Sequence, residues 1–205
     1  MRITDLLDKR SISLDGAPKN KKEALDMAID LMKGSDKIND QEAYRKQVYK
    51  REEEGTTGIG MGIAIPHGKC NAVDRPGLAA MVIKDGVDFD SLDGEPVHLL
   101  FLIAAPDTED NIHLEVLSKL SMMLMDDNFT QSLKNASSVD EFMEIINKAD
   151  EERPDLSEQF GAVRKHRQKR SRRRFLQLPD ARRVSRTLTW QQKALRKQRK
   201  QEVAL

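Results

Sequence analysis

The stretch Arg51-Glu-Glu-Glu-Gly-Thr-Thr-Gly-Ile-Gly-Met-Gly-Ile-Ala-Ile-Pro-His67-Gly68 carries four glycines within eight positions, Gly55, Gly58, Gly60 and Gly62. Such a run lets the backbone come close to a ligand and take positive φ. Ile63-Ala-Ile65 then reads as a short buried strand, which Pro66 ends. His67 is thereby displayed at a strand end beside Gly68, which has no side chain to block access. Neutral imidazole is a good nucleophile near pH 7, so a histidine held this way can attack phosphorus. Thr56, Thr57, Gly58 and Gly60 are candidate donors to phosphoryl oxygens, and Arg51 is the candidate cation beside them. The same residues also describe an ordinary glycine-rich turn, and without a following Gly-Lys-Ser/Thr they do not form a P-loop. On these residues alone both readings stay open.

Working outward, helix and strand signals alternate over the first 150 residues. Asn20 to Glu23 is a capping box, and Leu25, Ala28, Ile29 and Met32 follow at helical spacing up to Gly34. Asn39 to Glu42 opens a second helix in the same way, with Tyr44 and Val48 on one face. Arg51 continues that face seven residues on, so it is expected to point toward the protein body. Leu78–Ile83 and Val97–Ile103 are short apolar runs bounded by Gly, Pro and Asp, as strands covered on both faces are. A third helix is expected from Asp110, with His113 in its first turn and Val116, Leu117, Leu120 and Leu124 on its stripe. That end of a helix favours an anion. Ser138 caps a last helix carrying Phe142, Ile145 and Ile146. The alternation argues for a layered α/β domain.

The net charge of +1 over 205 residues conceals a division. Residues 1–150 hold 18 Lys+Arg and 28 Asp+Glu, whereas residues 151–205 hold 17 and 6. The two parts therefore carry −10 and +11, and the second prefers arginine where the first prefers lysine. The run Arg164 to Arg174 has no apolar face, so residues 151–205 are expected to be a basic, disordered tail. Electrostatic binding of nucleic acid or anionic lipid, a linker, and translation out of frame are its three readings, and the last is preferred. No apolar run is long enough for a bilayer span, and the N-terminus is not a secretory signal. The single cysteine, Cys70, fits a reducing cytoplasm.

The segment from Glu52 to Gly68, with its core Gly60-Met-Gly-Ile-Ala-Ile-Pro-His67-Gly, resembles the signature of the type-2 enzyme IIA domains of the bacterial sugar phosphotransferase system. It is most similar to the fructose branch; mannitol and nitrogen-regulatory IIA domains share the fold. The likeness spans residues 1 to about 150, including Ile3 to Leu7, Ser91 to Glu95 and His113 to Leu120. It implies a mixed sheet flanked by helices and a phosphotransferase component. It further implies that His67 accepts a phosphoryl group from the phosphocarrier HPr and passes it to a IIB domain for sugar uptake. His113 matches the second active-site histidine and Arg51 the supporting arginine. No cofactor, no metal and no direct sugar binding are implied. The location is cytoplasmic, with contact to a membrane permease through partners. The second function carried by the resemblance is the nitrogen-related one, in which phosphorylation controls binding to other proteins.

Other residues invite less. His67-x-x-Cys70 lacks the further ligands a zinc site needs, and Cys70 reads as packing. His98 beside a strand reads as a hydrogen-bonded core histidine. Met122, Met123 and Met125 read as core filler. Asp107, Glu109 and Asp110 read as a solvated loop and cap, and Glu52 to Glu54 as carboxylates near Arg51. Ile59, Met61 and Ile63 form an expected apolar rim for HPr.

Overall fold

The computed structural model describes residues 2–108 and 112–152, apart from the side chains of Ile112 and His113. Glu109, Asp110 and residues 153–205 lie outside the described residues, so the expectations on them go no further; Glu151 and Glu152, expected in the disordered tail, end the last helix instead. The chain opens with a 3-10 turn, Ile3–Asp5, and strand β1, Leu7–Gly16. Helices α1, Lys21–Met32, and α2, Gln41–Glu53, follow. Four strands come next: β2 Gly58–Gly60, β3 Ile63–Ala64, β4 His67–Lys69 and β5 Gly77–Val87. Strand β6, Val97–Ala105, leads to helices α3 Ile112–Leu124, α4 Asp127–Lys134 and α5 Val139–Glu152.

The sheet runs β1-β5-β6-β3-β2, with β4 also on β6. It is mixed: β1 is parallel to β5, β5 antiparallel to β6, and β3 and β4 both parallel to β6. Alternation along β5 and β6 sends side chains to two separate cores. Leu78, Ala80, Val82, Leu99, Phe101 and Ile103 join α3, α4 and α5 on one face. Ala79, Met81, Ile83, Leu100, Leu102 and Ala104 join α1 and α2 on the other. Burying both faces explains why these strands read as continuous apolar runs, with each large buried side chain worth about 1.5–3 kcal/mol. Phe101 and Phe142 meet at 6.2 Å between ring centroids, fastening α5 to the centre of the sheet.

The helix starts show where local signals held and where they slipped. Asn20 accepts from Glu23 N–H at 2.9 Å as expected, but the Glu23 carboxylate reaches one residue further back, to Lys19 N–H. The second cap is Asp40 rather than Asn39; it accepts from Glu42 and Ala43 N–H groups. Asn39 instead donates its amide to Asp74 across a loop. Helix α1 ends before Gly34, and a 3-10 turn, Lys33–Ser35, carries the chain to Asp36 in the left-handed region, φ 52°. Met123 is buried, but Met125 is 70% exposed, which corrects its reading as core. It stands past the end of α3, where the chain turns to the Asp126 cap of α4. Ile63 is buried in the first core, so only Ile59 and Met61 of the expected rim are exposed.

Candidate functional site

Residues 63–69 form one edge track along β6, in constant register from Ile63↔Leu99 to Lys69↔Ala105. Pro66 interrupts the ladder because it has no N–H to give. The Pro66 carbonyl still accepts from Ile103 N–H at 3.0 Å, so the register survives the break. Ile65 N–H turns away from β6 to Thr57 O, which leaves the Ile65 carbonyl for His67 Nδ1 at 3.0 Å. The acceptor is open because Thr57 N–H, the donor that faces it, goes to the Glu52 carboxylate instead.

On the other side of the track, α2 packs directly on Gly68. Tyr44 is fully buried and donates its O–H to Ile103 O at 3.0 Å. A Cβ on residue 68 would stand 2.9 Å from the Tyr44 ring and 3.0 Å from Val48. Glycine is thus demanded by the closeness of helix and strand. That closeness carries Arg51, on the Tyr44 and Val48 face, to the histidine: Arg51 Nε lies 3.0 Å from His67 Nε2. Its Nη1 donates to Gly55 O at 3.1 Å.

These contacts define the protonation of the ring. A carbonyl can only accept, so Nδ1 carries the proton; a guanidinium can only donate, so Nε2 carries the lone pair. Burial lowers the His67 pKa below its usual 6.5, the Ile65 carbonyl raises it, and the Arg51 charge lowers it again. Glu52 and Glu54 pull weakly upward. The net fall keeps a half-buried, neutral imidazole with its Nε2 lone pair directed at the guanidinium.

The glycine loop does something other than expected. Thr57 is buried and gives both its N–H and its O–H to the Glu52 carboxylate, at 2.9 and 2.6 Å. Thr56 donates its hydroxyl to Phe89 O and accepts from Gly58 N–H. The two threonine hydroxyls and the Thr57 and Gly58 N–H groups are thus paired within the protein in this structure. Gly58 and Gly60 sit against Ser91 and Asp93, where a Cβ would come within 2.7 and 2.8 Å. The segment from Gly58 to Ala64 is a hairpin whose tip, Met61-Gly62, has φ of 56° and 73°. Both signs match a two-residue primed turn, and the Asp93 carboxylate accepts from Met61 N–H to hold it.

Lys21 was missed by sequence reading. Its ammonium lies 2.9 Å from Glu52 Oε1 and 5.0 Å from the centre of the Phe89 ring. Glu52 follows Val48 by four residues, so helical spacing already put it on the buried face; nothing local linked it to Lys21. Of the other expected residues, Cys70 is partly buried against the second core, and burial raises its thiol pKa. Asp107 is exposed. His113 lies in the first turn of α3, and its side chain is outside the described residues. Among the described residues no group of three or more His, Cys, Asp or Glu side chains is arranged to hold a metal ion.

A three-layer α/β/α domain with an imidazole–guanidinium pair at a sheet edge defines the class. The chain belongs to the phosphoenolpyruvate-dependent sugar phosphotransferase system EIIA 2 family, whose pattern it matches over residues 5–149. It is 44% identical to the fructose-specific EIIABC component of Bacillus subtilis over 73% of this chain. The match takes in only 24% of that longer protein. It is 36% identical to the fructose-specific EIIA component of Haloferax volcanii, over 70% of this chain and 94% of that one. Among solved structures, the nitrogen regulatory protein IIA-Ntr of Neisseria meningitidis aligns with TM-score 0.66 and 33% identity. That alignment covers 70% of this chain and 98% of the other. The mannitol IIA of Escherichia coli, solved in complex with phosphorylated IIB, aligns with TM-score 0.61 and 25% identity, covering 70% and 99%. Proteins of this family are phosphotransferase components, and that complex shows a IIA protein partnered by a IIB domain.

Proposed function

We propose that the domain carries a phosphoryl group on His67 Nε2, received from HPr and delivered to a IIB domain for fructose uptake. The observation that carries this reading is the opposed pair of contacts on one ring, Ile65 O at Nδ1 and Arg51 Nε at Nε2. In the forward step the Nε2 lone pair attacks phosphorus. The P–N bond to the HPr imidazole breaks, and its electron pair returns to the HPr nitrogen. Arg51 leaves Nε2 as the new bond forms and turns its N–H groups to the phosphoryl oxygens, while Ile65 O steadies the positive charge gathering on the ring. His113, at the start of α3, is the second donor to those oxygens. No metal or cofactor enters these steps, and the sugar is bound by the downstream permease. The domain acts in the cytoplasm and reaches the membrane through IIB; among the described residues no helix is long and apolar enough to cross it.

The fructose branch is favoured by the two relatives at 44% and 36% identity. The nitrogen-regulatory reading is supported by the alignment over 98% of IIA-Ntr. Labelled phosphoenolpyruvate supplied with the general carriers and a fructose-type IIB tests both. Label passing through His67 to IIB supports transport. Label retained on His67, with phosphorylation-dependent capture of another protein, supports regulation. Histidine labelling that persists in His67→Ala overturns the site itself.

A further inference from the structure

Glu52 and Lys21 have no place in the transfer steps, yet they form the most heavily bonded polar cluster beside Arg51. The Glu52 carboxylate is buried, its side chain only 6% exposed. Oε1 accepts from Lys21 Nζ and Thr57 N–H, both at 2.9 Å, and Oε2 accepts from Thr57 O–H at 2.6 Å. Lys21 begins α1, lies over the Phe89 ring and also reaches Asp90 and Thr56 at 3.3 and 3.4 Å. One buried ion pair thereby joins the start of α1, the end of α2, the glycine loop and the loop at 88–90.

We infer that Lys21, Glu52 and Thr57 are positioning residues that hold the Arg51 guanidinium against His67 Nε2. This rests on the proposed phosphoryl transfer. Arg51 precedes Glu52 in the last turn of α2, and its second hydrogen bond, to Gly55 O, lies within the segment that Glu52 and Thr57 close. Around Gly55, where an added Cβ would meet nothing, the chain is otherwise held by the helix-end bonds of Glu54 and Gly55 N–H to Arg51 O and Glu52 O, both at 3.3 Å. Tying Thr57 back to Glu52 at two points returns the chain to the helix end and sets where Gly55 O stands. An arginine has several rotatable bonds, and confining it beforehand removes a cost that would otherwise fall on each transfer. A buried ion pair is not favoured for stability alone, because desolvation consumes most of the attraction; here it supplies a defined geometry where helix α2 passes into the glycine loop.

The test compares Thr57→Val, which keeps the shape and removes the hydroxyl, with Thr57→Ser, which keeps the hydroxyl, and adds Glu52→Gln. Each is measured in the full chain by single-turnover transfer from phospho-HPr and by NMR titration of the His67 ring. Thr57→Val and Glu52→Gln are expected to slow the transfer step roughly tenfold or more at unchanged affinity for phospho-HPr, with Thr57→Ser restoring it. Glu52→Gln is also expected to lower the His67 pKa further, since the lost carboxylate was raising it. If Glu52→Gln folds less stably, the double variant Lys21→Met/Glu52→Gln removes the charge left without its carboxylate and recovers stability without recovering rate. Variants that lose only stability, with the transfer step unmoved, overturn the positioning role. If histidine labelling persists in His67→Ala the phosphoryl-transfer reading falls, whereas full transfer in Arg51→Ala removes the clasp alone, so the two failures are distinguishable.

Discussion

Two histidines on this sheet begin from the same arrangement and end in different ones. His67 and His98 each place Nδ1 3.0 Å from a backbone carbonyl, Ile65 O for the first and Ile83 O for the second. The rings then diverge at Nε2. That of His67 meets a guanidinium; that of His98 lies against Gly86, where a Cβ would stand 3.1 Å away. His98 also borders a cleft of about 590 Å³ lined by Lys84, Gln131 and Lys134. An imidazole oriented through Nδ1, even beside a cavity, is therefore not what sets His67 apart. What separates the two is a cation fixed at the nucleophilic nitrogen, and a helix packed on glycine 68 provides it.

The harshest way to break this comparison is to remove each ring. His67→Ala is expected to abolish labelling by phospho-HPr, whereas His98→Ala retains transfer and loses about 1 kcal/mol of stability through the unpaired Ile83 carbonyl. Loss of labelling in His98→Ala, in a folded protein, would erase the distinction. Arg51→Ala comes next: it turns the His67 surroundings toward those of His98 and is expected to slow single-turnover transfer by about 10²–10³-fold with the fold intact.

Gly68→Ala sharpens the comparison by acting on geometry alone. The added methyl meets Tyr44 and Val48, so α2 must shift, at an expected cost of about 1–3 kcal/mol read by chemical denaturation. Transfer is expected to fall as Arg51 moves with its helix; a stable variant with full activity would uncouple the packing from the site. The smallest effect is in pH. Burial together with Arg51 lowers the His67 pKa below 6.5, so its neutral form is favoured by folding. The stability this contributes is present above pH 6.5 and is lost as pH falls through the lower folded-state value. A ring titration by NMR at or above 6.5 would show that burial and Arg51 together do not outweigh the Ile65 carbonyl.

Much of the fold was legible because its signals were short in range. Asn20 and Ser138 accept the expected helix N–H groups, and Tyr44, Val48 and Arg51 share a face because the helical repeat requires it. Strands β5 and β6 showed themselves as apolar runs because both faces are covered. Strand β1 was not legible: Leu7 to Gly16 mixes charges with apolar residues, as an edge strand with one neighbour does. Helix α4 was missed because eight residues burying only Phe129, Thr130 and Leu133 present too short a stripe to read. Within the site, Arg51 and His67 were legible and their meeting was anticipated, whereas the inward use of Thr56 and Thr57 was not. A threonine hydroxyl in a glycine loop looks the same whether it faces a ligand or a carboxylate.

The amino-acid sequence by itself determined the layered α/β class, the two principal strands, the helix that bears Arg51, and the histidine displayed after Pro66. Each follows from a rule that spans a few residues: a period, a cap or a missing N–H. Only the tertiary structure decided which nitrogen of His67 holds the lone pair, that Gly68 exists to admit Tyr44, and that Lys21 stands on Glu52. Those facts join positions from about two to 59 residues apart, and they depend on how the elements pack. The proton on one ring is assigned by neighbours that no local pattern names.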